Sequence, residues 1–222
     1  MADPRRPGTD LTDMERVTVP APPTKPSSLR RLAELAATVP ESADLVILGD
    51  SLAAAWPAED LLRSGACRHP FNCGLPGDRI ANTLWRLGAM PIGHLRPRAL
   101  VLLLGTNNLG DGDPPAAIAA GLRHVAERCL ALWSPHVLVA IGLPWRRPGG
   151  VVREADRLAV NGALAAILAD LRGYTLDPDP ILGAGPDETA ATVLPDGLHL
   201  AAAAYPRLAA ALAKVLTARE IS

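Results

Sequence analysis

The sequence predicts an α/β fold: a parallel β-sheet with helices on both of its faces. Two observations carry this. From residue 28 onward, apolar segments of strand length alternate with segments whose apolar residues recur at helical spacing. Two of the strand segments, RALVLLLG (98–105) and HVLVAIG (136–142), are continuous apolar runs, the pattern of strands covered on both faces. The length sets the scale: 222 residues suffice for one full domain with a sizeable core and are short for two.

Residues 1–27 contain Pro4, Pro7, Pro20, Pro22, Pro23 and Pro26 and few large apolar groups, which predicts a disordered or loosely packed tail preceding a domain over 28–222. SLRRLAELAATV then reads as a helix with Ser28 as its N-cap and Leu29, Leu32, Leu35 and Ala36 on one face. The strand segments follow in order as DLVILG (44–49), CRHPFN (67–72), RALVLLLG (98–105), HVLVAIG (136–142) and GYTLD (173–177). His69 and Pro70 interrupt the second, and a proline suits an edge strand. Helical patterns fill 52–64, 78–89, 114–133, 153–172 and 202–218. Strand and helix alternating in this way build a parallel sheet through crossover connections.

Composition narrows the function. With 22 basic and 23 acidic residues the formal net charge is -1, so no bulk field attracts nucleic acid or an anionic membrane. The N-terminus lacks the apolar core of a secretory signal, and no apolar run approaches the roughly 20 residues that span a bilayer. Cys67 and Cys73 on one extended segment stand roughly 20 Å apart at about 3.3 Å per residue, beyond bridging distance. Cys129 falls in a helical pattern. Three scattered cysteines without CxxC spacing predict neither a disulfide framework nor a zinc site, and a reduced, cytoplasmic protein is the simplest expectation.

Ligands of open parallel sheets bind at the carboxyl ends of the strands. The five strands are followed by Gly49-Asp50-Ser51, by Asn72-Cys73-Gly74-Leu75-Pro76-Gly77-Asp78, by Gly105-Thr106-Asn107-Asn108, by Pro144-Trp145-Arg146-Arg147 and, beyond a long loop, by Asp196-Gly197-Leu198-His199. Together these supply a hydroxyl nucleophile, donors for an oxyanion, a base and a group to orient that base. The first strand ends in a single Gly-Asp-Ser with no GxGxxG or GxxxxGK[ST] phosphate loop, which argues against a nucleotide-binding fold of the flavodoxin kind.

In these blocks the chain resembles the SGNH hydrolases, also called GDSL esterases and lipases. The resemblance runs over roughly residues 44–217 and rests on Gly49-Asp50-Ser51-Leu52, Gly74, Gly105-Thr106-Asn107-Asn108 and Asp196-Gly197-Leu198-His199, in the family's order. It implies a three-layer α/β/α sandwich with a five-stranded parallel sheet in flavodoxin-like order. It also implies cleavage of a small-molecule ester without metal or other cofactor.

A serine hydroxyl is a poor nucleophile until a neighbouring base activates it. Ser51 is the expected nucleophile, although a serine at a strand-to-helix junction also serves as an N-cap. His199 is the expected base, since imidazole exchanges protons near neutral pH. Asp196, on a Pro-Asp-Gly turn three residues earlier, is expected to orient it; Asp177 and Asp187 are the weaker substitutes. Gly74 and Asn107, with the Ser51 amide, are the expected oxyanion donors. Asp50 is expected to brace the nucleophile turn, and Asn108 to be structural. Arg79, Trp145, Arg146 and Arg147 are candidates for contacting substrate, the arginines through a carboxylate or phosphate. The last helix begins AAAAYP, with Pro206 tolerable only in a first turn. The same residues fit an acyltransferase or a binding module of this fold.

Overall fold

The computed structural model of the chain describes residues 11–183 and 191–220. Its centre is a five-stranded parallel sheet built from β1 (Leu45–Gly49), β2 (Pro70–Gly74), β3 (Ala99–Leu103), β4 (Val137–Ile141) and β5 (Tyr174–Leu176) in the order β2-β1-β3-β4-β5. Alternating residues enter opposite cores. Val46, Leu48, Leu100, Leu102, Leu138 and Ala140 face one helical layer. Leu45, Ile47, Val101, Leu103, Val139 and Ile141 face the other.

The first layer holds α2 (Pro26–Ala37), α5 (Ile80–Ala89), α7 (Pro115–Trp133) and α8 (Glu154–Asp170). The second holds α3 (Ser51–Ala54), α4 (Ala58–Arg63), α9 (Pro178–Leu182) and α10 (Ala204–Glu220). A one-turn helix, α6 (Thr106–Gly110), follows β3. Tyr205 pins α10 to the nucleophile turn: its ring packs 5.9 Å from that of Trp56, and its hydroxyl donates to the Leu52 carbonyl at 3.1 Å.

The structure corrects the sequence reading in four places. Helix 52–64 is two helices, because Pro57 cannot continue α3 and opens α4 instead. The second strand runs over 70–74 rather than 67–72. The Asp44 carboxylate accepts from the Arg68 and His69 amides at 2.7 and 2.9 Å and holds that stretch out of the ladder, and Pro70 begins an edge strand. α2 begins at Pro26; Ser28 lies inside it and donates to the Pro76 carbonyl, while Leu29 points outward.

The fourth correction concerns the tail. Residues 1–10 lie outside the described residues, but from residue 11 the segment folds onto the domain. α1 (Asp13–Thr18) starts with a capping box in which Thr12 and Glu15 satisfy each other's amides. Val17 is fully buried against Ile80 and Gly121. Gly121 makes the room: a Cβ there would stand 2.7 Å from both neighbouring side chains. One deeply buried residue and a reciprocal cap outweigh a composition that on average buries little.

Candidate active site

β1 delivers the chain to a crowded corner. A Cβ on Gly49 would lie 2.0 Å from the Leu103 carbonyl oxygen, so only glycine passes. Asp50 then caps α3, its Oδ1 accepting from the Leu52 amide at 3.0 Å. Because Asp50 takes the cap, Ser51 stands at the first helical position with its hydroxyl directed elsewhere: Oγ lies 3.1 Å from His199 Nε2. α3 is a single turn, so what it offers negative charge is its first amides rather than a macrodipole. Asp50 is fully buried, and burial pushes its carboxyl up to about 7 against the pull of the Leu52 amide.

His199 and Asp196 come from a tight turn. The Leu194 amide donates to the His199 carbonyl at 2.7 Å, the Gly197 amide donates to the Leu194 carbonyl at 2.9 Å, and Gly197 adopts φ 70°. Asp196 Oδ1 accepts from the Leu198 and His199 amides, both at 2.9 Å, and Oδ2 lies 2.7 Å from His199 Nδ1. The His199 ring and these amides hold the Asp196 carboxyl down to about 2. With Nδ1 donating to a carboxylate, Nε2 is the nitrogen left to accept from Ser51. The structure therefore links Asp196, His199 and Ser51 in one relay. The His199 and Asp196 side chains are open to water, 40% and 48% exposed. α10 begins only at Ala204, with Pro206 in its first turn, so His199 is set by the turn and not by that helix.

Gly74 ends β2 directly beside Gly49, and Leu103 flanks Gly49 on the other side, so the chains leading to Ser51, Gly74 and Asn107 leave from three adjacent strand ends. A Cβ on Gly74 would stand 2.3 Å from the Ala54 backbone nitrogen. The Gly74 amide donates to Asn72 Oδ1 at 2.9 Å, and Asn72 Nδ2 in turn donates to the Ala53 and Trp56 carbonyls. Asn107 donates one Nδ2 hydrogen to the Asp78 carbonyl at 2.9 Å; the carboxamide has a second. Asn108 is buried, accepting from the Ile80 amide and donating to Asp113.

Beneath these groups lies Arg86, fully buried, a residue the sequence reading passed over. It sits in a helical pattern where arginine ordinarily faces solvent, and no local motif marks it. Its Nε donates to Asp78 Oδ2 at 2.7 Å, Nη1 to the Cys73 carbonyl at 2.7 Å and Nη2 to the Gly49 carbonyl at 3.1 Å.

Of the candidate substrate-contacting residues, Arg79 and Arg146 have their side chains bonded within the protein. Arg79 is ion-paired with Asp111. Trp145 is half-buried. Arg146 donates from Nη1 to the Thr106 carbonyl at 2.7 Å; burial pushes its guanidinium down, and Asp50 opposes that. The Arg147 amide donates to the Gly197 carbonyl at 2.7 Å, and its side chain lies along Gly197. Asp177 caps α9, and Asp187 lies outside the described residues. Among the described residues no cluster of three His, Cys, Asp or Glu side chains could hold a metal, and no helix is long and apolar enough to cross a membrane. A cleft of about 710 Å³ opens at the other end of the strands, around Asp44, Arg98 and His136. None of the relay residues lines it, so volume and chemistry point to different places, and the hydrogen-bonded relay is the stronger guide.

Residues 47–207 match the model of the GDSL-like Lipase/Acylhydrolase family. The chain is 27% identical over 175 residues to platelet-activating factor acetylhydrolase IB subunit alpha1 of Bos taurus, covering 78% of this chain and 75% of that one. It is 30% identical over 175 residues to Esterase TesA of Pseudomonas aeruginosa, covering 74% and 83%. The fold matches the crystal structure of the lipase/acylhydrolase from Enterococcus faecalis with a TM-score of 0.66 at 20% identity, covering 79% and 96% of the two chains.

Proposed function

The chain belongs to the GDSL-like lipase/acylhydrolase family, and on that premise we propose that it hydrolyses a small carboxylic ester through an acyl-enzyme on Ser51. The observation that carries this reading is the relay from Asp196 through His199 to Ser51, at 2.7 and 3.1 Å, joining residues 148 apart in sequence. His199 Nε2 takes the Ser51 proton as Oγ bonds to the ester carbonyl carbon. Asp196 holds the ring in that tautomer and stabilises the imidazolium without taking its proton. The tetrahedral oxyanion is received by the Ser51 and Gly74 amides and Asn107 Nδ2, with the Gly74 hydrogen shared with or released by Asn72. His199 returns the proton to the departing alcohol. It then takes one from water as the water oxygen bonds to the acyl carbon, and passes it to Ser51 Oγ as the acyl–Oγ bond breaks, which releases the acid and restores the Ser51 hydroxyl.

Hydrolysis is favoured over transfer to another acceptor because His199 and Asp196 are exposed, so water reaches the acyl-enzyme freely. The acetylhydrolase name of one relative supports a short acyl group. The test is direct: wild type turns over p-nitrophenyl acetate and is labelled on Ser51 by a fluorophosphonate. Ser51→Ala loses both, with activity down by about 10⁴-fold or more and circular dichroism unchanged. Wild-type turnover in Ser51→Ala overturns the mechanism, and absent labelling and turnover in wild type would favour a binding module.

A further inference from the structure

We infer that Arg86 is a positioning residue for this site: with Asp78, its buried guanidinium holds in one frame the backbone and side chain that carry the three proposed oxyanion donors. The inference rests on the serine-hydrolase reading above. The Cys73 carbonyl that accepts from Nη1 belongs to the same planar peptide unit as the Gly74 N–H. The bonds are trans, so anchoring the carbonyl on one side directs the amide to the other. Nη2 anchors the Gly49 carbonyl two residues before Ser51. Nε holds Asp78 Oδ2, and the carbonyl of that same Asp78 orients the Asn107 carboxamide. Thr83 adds a 2.6 Å hydrogen bond to Asp78 Oδ2 and fixes the pair from α5. One planar fork thus references the ends of β1 and β2 and, through Asp78, the Asn107 carboxamide to a common point.

Stability alone does not account for the arrangement. Both side chains of the pair are 0% exposed. Two buried charges cost several kcal/mol each to desolvate, and an apolar pair of similar volume is often as stable or more so. What an apolar pair lacks is donors for the Gly49 and Cys73 carbonyls. Lysine also falls short: it keeps the charge as one compact ammonium and cannot span acceptors on β1, β2 and the following loop together. Burial pushes the Asp78 carboxyl up, and the Arg86 guanidinium beside it opposes that shift.

The experiment compares wild type, Arg86→Lys and Thr83→Val, with turnover of p-nitrophenyl acetate counted per fluorophosphonate-labelled serine. Loss of alignment remote from the reacting atoms costs on the order of 10²-fold, so Arg86→Lys should lose about that much kcat. KM should stay within about twofold and the Ki of a short trifluoromethyl ketone should rise in step with the loss in kcat/KM, because only transition-state contacts are touched. A purely structural role would instead reduce the labelled fraction and the Tm and leave kcat per labelled serine unchanged, which overturns the inference. Thr83→Val keeps the ion pair and decides the matter if Arg86→Lys does not fold. A kcat loss of about 3- to 10-fold at constant KM supports the inference, and an unchanged kcat refutes it. Wild type that is neither labelled nor active refutes the serine-hydrolase reading instead, so the two failures are distinct.

Discussion

A serine after a buried strand can cap a helix or attack a carbonyl, and at position 51 the hydrogen bonds give the cap to Asp50. The neighbouring carboxylate satisfies the helix, which frees the hydroxyl to meet His199. Arg146 shows the converse. In sequence it stands in a polar loop suited to gripping an anion, yet its Nη1 is engaged with Thr106, the residue before Asn107. If its work is to brace α6, Arg146→Ala lowers kcat on neutral and anionic esters by the same factor, about 10-fold. A panel of acetyl and succinyl p-nitrophenyl esters checks this, and a loss confined to the anionic members would restore the role of substrate clamp.

At the scale of elements, α1 acts as a strap behind the site. Arg16 pairs with Asp113 at 3.3 Å, Asp113 accepts from Asn108, and Asn108 accepts from the Ile80 amide. Farther along, the Ala21 amide donates to the Ala81 carbonyl and Asn82 donates to the Ala21 carbonyl. The strap therefore closes over the start of α5 and the loop after α6, the two segments that follow Gly74 and Asn107. Val17 is its apolar anchor, and Val17→Ala should cost about 1–3 kcal/mol. Urea unfolding would show this as a lower midpoint at constant m; an unchanged midpoint would mean that the strap contributes no packing energy. The proline content of 1–27 was legible, but the fit of Val17 between Ile80 and Gly121 was not, because those residues lie far along the chain.

For the whole molecule, the buried carboxyl of Asp50 ties global stability to pH. Its folded pKa of about 7 stands above the ordinary 3.8, so the folded state holds this proton more tightly than the unfolded chain. That contribution is fully present below 3.8, is lost as pH rises toward 7, and is constant above. Asp196 has the opposite sign, but its window lies between 3.8 and about 2 and does not overlap. Unfolding free energy measured between pH 4 and 7 should fall with a slope of up to about 1.4 kcal/mol per pH unit from Asp50. Asp50→Asn, which keeps a capping oxygen, should flatten it; a slope unchanged in the variant would mean that Asp50 is ionised throughout. By itself the sequence determined the parallel sheet with helices on both faces and the polar residues that follow its strands; the strand order came with the family resemblance. Continuous apolar runs and glycine-ended strands are local patterns with few structural solutions. Only the tertiary structure decided that Asp50 rather than Ser51 caps the helix, that Arg146 reaches inward to Thr106 while Arg147 lies exposed along Gly197, and that a buried Arg86 lies under the site. Each depends on a hydrogen-bond partner supplied by another element, and partners across space leave no periodicity in the chain.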